Sequence, residues 1–253
     1  MTYCLAIAAQ SGLVFVSDSR TNAGVDMVST YGKMNSFGIP GQCQFTILTS
    51  GNLATSQGVI RRIKKDIKTS ETNLLAFSYM TEVAEYIGDI SREEQEKSAD
   101  TNVNVEAHFI IGGQIAGRRP SIYLVYPQGN YITTSDDTVF LQIGESKYGK
   151  PILDRILNSD VSIDTAAMCA LVSMDSTMRS NLTVGPPVEL TVYETDSLSV
   201  GRYHKFEEDS EYFRQLHKHW DKLLKDAFKK LPPVTWSGTW DLRKTMVMPE
   251  PAS

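Results

Sequence analysis

The order in which two hydrophobic periods alternate along the chain constrains its fold more than any other feature. Tyr3 to Ala9 and Gly12 to Asp18 are short apolar runs separated by Gln10-Ser11-Gly12, the pattern of two strands joined by a tight turn. Met27 to Ser36 and Gln44 to Thr49 predict a second pair, divided by Gly38-Ile39-Pro40-Gly41. After Ser50-Gly51 the period lengthens. Ile60, Ile63 and Ile67 recur at helical spacing, and a second helical stretch runs from Leu74 towards Glu96 after the cap-like Ser70 and Thr72. Strand signals return at Val105 to Ile111, Ser121 to Tyr126, Tyr131 to Thr133 and Val139 to Ile143, with Gly112-Gly113 and Gln128-Gly129 read as turns. Helical segments at Lys147 to Leu157 and Ile163 to Met178 follow, then strands at Val188 to Tyr193 and Ser199 to His204.

Strands, two helices, strands, two helices, strands: this order fits sheets packed face to face with helices outside. The 253 residues leave one large domain or two small ones open. No polar linker divides the chain, so the reading is one domain over 1–204 followed by an extension over 205–253. In that extension Glu207 to Lys230 carries Phe213, Leu216, Trp220, Leu223, Leu224 and Phe228, and Leu231-Pro232-Pro233 stops the helix. Trp236 and Trp240 beyond it are too apolar for a purely solvated end, which predicts docking on the same or a neighbouring subunit.

Charge and composition remove several classes of function. With 25 Lys and Arg against 30 Asp and Glu, the formal net charge of −5 disfavours a polyanionic partner, and nucleic acid or a membrane surface with it. No apolar run reaches the length of a spanning helix, and the opening Met-Thr-Tyr-Cys-Leu-Ala lacks the basic region of a signal peptide, so the expected location is cytoplasmic. Cys4, Cys43 and Cys169 are odd in number and in no metal-ligand spacing, as expected of reduced thiols. Only 4 histidines occur. Chemistries built on His, zinc or a Cys/His pair are short of parts, and the expectation is no cofactor and no metal.

Thr2 is the most telling residue. Removal of an initiator Met before a small residue would place its hydroxyl and a free α-amino group on one framework. An α-amino group titrates at about 7.7 to 8.0 and can accept a proton near neutrality, so the chain would supply its own nucleophile and base. A penultimate threonine alone means nothing; its neighbours give it weight. Asp18-Ser19-Arg20 ends the second predicted strand and Lys33 follows in Tyr31-Gly32-Lys33-Met34, so an Asp/Lys pair beside the first strand could hold a cation near Thr2. Taken singly, Asp18 and Arg20 would be a surface ion pair, Lys33 a solvated lysine and Gly51 a turn glycine.

Taken together, Thr2, Asp18, Arg20, Lys33, Ser50 and Gly51 resemble, in order and spacing, the N-terminal nucleophile hydrolases of the proteasome β-subunit type. Gly112-Gly113, Ile143-Gly144 and Asp175 are similar later landmarks, and the resemblance spans Thr2 to His204. The absence of a longer propeptide, the stretch Ser-Asp-Ser-Arg-Thr-Asn-Ala-Gly at 17–24 and the helical C-terminal extension are most similar to the bacterial proteasome-like family called Anbu. The resemblance implies an α+β fold, a four-layer αββα sandwich with the nucleophile at one mouth. It implies Thr2 as nucleophile and, through its amine, base; Lys33 as the charge that activates it; Asp18 as the partner of Lys33; the Gly51 N–H as oxyanion donor; and Asp175 as a further site residue. Flanking pocket positions would be Thr21, Tyr31, Thr49 and Leu53.

Two departures stand out: Gly144-Glu145-Ser146 where proteasome β-subunits commonly carry Gly-Ser-Gly, and Asp175-Ser176-Thr177-Met178 where an Asp-x-x-Ser pattern is usual. The implied activity is threonine-type peptide hydrolysis in a particle that self-associates into a ring or helical ring. An amidase acting on small non-protein amides and a catalytically silent assembly subunit are the alternatives. No ATP-binding motif occurs, so any ATP dependence has to come from a separate ATPase partner.

Several bland readings complete the sequence. Arg61, Arg62, Lys64, Lys65 and Lys68 read as the solvated or subunit-facing side of a helix. His217 and His219, about 200° apart on a helix, cannot chelate one metal together. His108 reads as a satisfied core histidine and Cys4 as buried.

Overall fold

The first strand, β1 (Tyr3–Ala9), has two apolar faces, and this sets the layering. Tyr3, Leu5 and Ile7 pack against helix residues, whereas Cys4 and Ala6, with Phe15 of the neighbouring strand, meet Leu48, Ile110 and Leu124 of a facing sheet. A strand apolar on both faces needs cover on both sides, which a single sheet with one helical layer does not provide. The computed structural model describes residues 2–22, 28–97 and 103–232.

In the first sheet β1 lies between β10 (Phe140–Gly144) and β2 (Gly12–Asp18), followed by β11 (Val188–Glu194) and β12 (Arg202–Phe206). The second sheet runs in order β5 (Met34–Ile39), β6 (Cys43–Gly51), β7 (Ala107–Ile115), β8 (Ser121–Val125) and β9 (Tyr131–Thr133). All pairs are antiparallel, and β3 (Arg20–Asn22) and β4 (Val28–Thr30) form a separate ribbon.

Helices α1 (Leu53–Thr69) and α2 (Met80–Glu96) cover the second sheet, burying Ile60, Ile63, Val83 and Ile87 against Phe45, Ile47, Phe109 and Ile111. Helices α3 (Lys150–Ile156) and α4 (Ile163–Ser180) cover the first, with Leu153, Ala166, Ala170 and Met174 against Leu5, Ile7, Val14 and Val16. Burying each of these Ile, Leu, Val, Met or Phe side chains contributes about 1.5–3 kcal/mol. The result is the αββα sandwich, an α+β fold. Asn52 and Ser162 cap α1 and α4 by accepting from Thr55 N and Thr165 N.

The structure corrects several boundaries. Gly112-Gly113 is not a turn but lies inside β7: a Cβ at Gly112 would stand 2.5 Å from Ile122 and 2.7 Å from Phe15 side-chain atoms, so glycine is there for close packing between sheets. Leu74 is buried on the helix cluster but outside α2, which starts at Met80, where Glu82 accepts from the N–H groups of Ser78 and Tyr79. Its burial lengthens the apparent helical period. Tyr31 to Lys33 separates β4 from β5 because the Tyr31 N–H turns to the carbonyl of Ser19. Both α3 and the C-terminal helix α5 (Glu211–Phe228) are shorter than the predicted segments.

The chain divides into two compact units, Met1–His217 and Lys218–Ser253. In the first, Phe213 and Leu216 pack on the α4 side of the core, and the Phe206 and Phe213 rings meet at 5.1 Å. In the second, Leu223, Leu224 and Phe228 are exposed. Trp236 and Trp240 lie outside the described residues.

Candidate active site

The register of β1 brings the start of the chain to the mouth between the two sheets. Tyr3 pairs with Gly144 on one side, and Cys4 with Ser17 on the other. Thr2 therefore sits between the ends of β10 and β2, its carbonyl accepting from Glu145 N at 2.7 Å. Gly144 has φ +82°, and a Cβ there would stand 2.0 Å from the Thr2 carbonyl oxygen. Only glycine fits that position without moving Thr2. Gly144→Ala should therefore lower turnover of any substrate that uses Thr2 by more than about tenfold, since small misplacements of a reacting group are costly. Steady-state kinetics on assembled protein checks this; unchanged kcat would show that Thr2 need not stay in place.

Asp18, the last residue of β2, is fully buried, and one of its oxygens joins two neighbours. Asp18 Oδ1 accepts from Tyr3 N at 3.0 Å and from Lys33 Nζ at 2.6 Å, and Oδ2 accepts from Gly185 N at 3.3 Å. Burial pushes the Asp18 carboxyl upward, and Lys33 with the two backbone donors pulls it back. Lys33, itself 5% exposed, also donates to the carbonyl of Arg20 at 2.6 Å. Its backbone is pinned as well, since Thr49 N donates to the Lys33 carbonyl at 3.1 Å. The Lys33 side chain is thus anchored beside the residue that follows Thr2, and an ammonium has three donors, of which Asp18 and Arg20 take two.

Gly51 ends β6 with φ +98°, and a Cβ there would meet the Glu106 carbonyl at 2.4 Å. N–H directions alternate along a strand. Thr49 donates towards β5, to Lys33, while Asn52 donates towards β7, to Glu106. Gly51 between them points its N–H to the β5 side, beyond the backbone that β5 supplies.

Thr2, Lys33 and Gly51 line one cleft of about 520 Å³, together with Thr21, Thr49, Leu53, His108 and Tyr126 among others. Tyr31 is not among its lining residues. His108 is not a core residue: it sits half-buried in the cleft, edge-on to Tyr126 at 6.3 Å, and burial lowers its pKa. The strand alternation that aims His108 between the sheets was visible in the sequence, but not that this end of the layer is open. Cys4 is fully buried, its thiol pushed up by burial and donating to the Thr49 carbonyl.

Asp175 lies elsewhere. It lines a second depression with Met178 and Pro186 and meets His217 Nδ1 at 3.0 Å, on the far side of Arg20, which borders both cavities. Glu145, where a serine is usual, turns from the cleft to accept from Asn181 Nδ2 at 2.9 Å. Among the described residues no group of three or more His, Cys, Asp or Glu could hold a metal ion, and no helix is long and apolar enough to cross a membrane.

Comparison with known proteins bears on this geometry. The family described as Proteasome subunit matches residues 2–193. The chain is 23% identical over 210 residues to the proteasome subunit beta of Haloquadratum walsbyi, covering 82% of this chain and 79% of that protein. Among solved structures it is similar to Anbu (ancestral beta-subunit) from Yersinia bercovieri, with a TM-score of 0.89 and 42% identity over 93% of this chain and 100% of that one. The helical assembly of the Anbu complex from Pseudomonas aeruginosa gives a TM-score of 0.89 and 42% identity, over 94% of this chain and 100% of that one.

Proposed function

The chain belongs to the proteasome subunit family and within it to the Anbu branch, and from that premise we propose that it is a threonine-type N-terminal nucleophile peptidase of a self-associating particle. The observation that carries the reading is the single Asp18 oxygen shared by Tyr3 N and Lys33 Nζ, beside a cleft that Thr2, Lys33 and Gly51 all line.

Once Met1 is removed, the Thr2 amine takes the proton of its own hydroxyl as Oγ attacks a peptide carbonyl. The third Lys33 donor stabilises the developing alkoxide, and Asp18 keeps that ammonium in place. The Gly51 N–H receives the tetrahedral oxyanion, a donor role worth about 2.7–4 kcal/mol in acyl transfer. Collapse breaks the C–N bond, the Thr2 ammonium protonates the leaving amine, and water then hydrolyses the Thr2 ester with the same amine as base. Because the neutral amine is the base, kcat/KM should rise with pH through about 7 to 8. Asp175, paired with His217 outside the cleft, is given no part in these steps.

Self-association is supported by the helical assembly of the relative from Pseudomonas aeruginosa and by the exposed Leu223, Leu224 and Phe228 of the extension, residues 205–253 in the sequence reading. A cytoplasmic location and peptide substrates belong to the same reading. The test is an α′,β′-epoxyketone peptide, whose ring adduct needs both the hydroxyl and the adjacent amine of Thr2. Intact mass should show Met1 lost and one adduct per chain; a retained Met1 in active preparations, or no adduct on processed protein, overturns the reading.

A further inference from the structure

Glu189, on β11, is a buried carboxylate that the chemistry above leaves without a task. It is 9% exposed and lies opposite Ser17 on β2 and Lys205 on β12. Lys205 does not neutralise it: that ammonium pairs with Glu207 at 2.8 Å. The partners of Glu189 are hydroxyls, with Tyr203 donating to Oε1 at 2.8 Å and Ser19 to Oε2 at 3.4 Å. Among the described residues no cation forms an ion pair with it. Burying a carboxylate without a counter-charge is costly, and costs of this kind concentrate at functional sites.

What Glu189 touches gives the reason. Oε2 reaches Ser19, which sits between Asp18 and Arg20, the two residues that bind Lys33 Nζ. The same oxygen lies beneath Gly32, where a Cβ would stand 3.4 Å away, next to Lys33 in the chain. One carboxylate thus bonds to the first of the two segments that carry the buried pair and abuts the second at Gly32. Across the sheet Glu189 lies opposite Ser17 and Ser17 opposite Cys4, two residues along from Thr2, and the Cys4 thiol feels all three charges, pushed up by burial and then by Asp18 and Glu189 and lowered by Lys33. With Asp18 and Lys33 offsetting each other, the trio contributes one net negative charge.

We propose that Glu189 is a positioning residue that braces the Asp18–Arg20 and Tyr31–Lys33 segments and whose charge raises the proton affinity of the Thr2 amine. The inference rests on reading Thr2 as an N-terminal nucleophile, but its readout does not require hydrolysis. Glu189→Gln keeps the size and one acceptor, the other hydroxyl turning to accept from Nε2, and removes the charge; Glu189→Asp keeps the charge. Full-length particles whose first residue is Thr2 are labelled with acetic anhydride across pH, and acylation of the Thr2 amine is read by mass spectrometry.

Glu189→Gln should move the amine midpoint to lower pH by on the order of half a unit. Glu189→Asp should restore the midpoint, and in Glu189→Gln the acid limb of kcat/KM should move with the amine while KM stays put. An unmoved midpoint in folded Glu189→Gln overturns the electrostatic role. If Glu189→Gln fails to assemble, Ser19→Ala removes the brace with the charge retained. It should lower kcat severalfold at an unchanged midpoint, and an unchanged kcat overturns the bracing. A shifted midpoint in particles that hydrolyse no peptide would leave Glu189 as proposed and sink the peptidase reading instead.

Discussion

Thr2→Ala is expected to lower peptide hydrolysis by at least about 10³-fold and to abolish epoxyketone labelling, because it deletes the only atom assigned to attack the carbonyl. The structural cost should be small. The Thr2 contact with the neighbouring strand runs through its backbone carbonyl, bonded to Glu145 N, which alanine retains. Stability should stay within about 0.5 kcal/mol of the parent and particle size should not change. Thr2→Ser keeps a hydroxyl and an amine on the same framework, so labelling should survive at a reduced rate. The pair of variants separates chemistry from folding: sedimentation gives assembly, intact mass gives labelling, and fluorogenic peptides give turnover. Hydrolysis by Thr2→Ala above about a hundredth of the parent rate would place the nucleophile elsewhere.

Lys33→Met should damage both catalysis and stability, since it removes the donor proposed for the alkoxide and strands Asp18 at zero exposure. Breaking a buried pair by deleting one partner typically costs about 3–5 kcal/mol. The loss should depend on pH in a definite direction. With Lys33 gone, burial holds the folded-state pKa of Asp18 above its unfolded value. The folded state then binds the extra proton, so the variant is nearest to parental stability below the unfolded value of about 3.9 and loses ground as pH rises from there through the raised folded pKa. Urea unfolding at a series of pH values reads this directly. Adding Asp18→Asn removes the stranded charge and should recover much of the stability while leaving turnover as low as in the single variant. A double variant that regained activity would show that the pair serves the fold alone.

Much of the architecture was written in local pattern. The apolar runs of β1 and β2 on either side of Gln10-Ser11-Gly12 and the isoleucine spacing of α1 are nearest-neighbour properties that the backbone must obey wherever it packs. Boundaries failed where tertiary contacts imitate a period: Leu74 is apolar because it plugs the helix cluster, and Gly112 is a glycine because Phe15 and Ile122 crowd it. His108 was misread for the same kind of reason, since a side chain aimed between sheets is a core residue only where the sheets close over it.

The sequence by itself determined the elements, their order and the residue types of the constellation, because strand and helix periods, turn glycines and the spacing of Thr2, Asp18, Lys33 and Gly51 are read along one chain. Only the tertiary structure decided which of those residues act on one another. Asp18 meets Lys33 and Tyr3 because antiparallel register and a turn at Tyr31 bring separate strand ends to one point, and Glu189 joins them from β11 although it lies far along the chain. Asp175, equally legible as a residue type, is held against His217 instead. Ionic and hydrogen-bonding energies fall off over a few ångströms, so proximity in space, which sequence spacing does not fix, assigns each charge its partner.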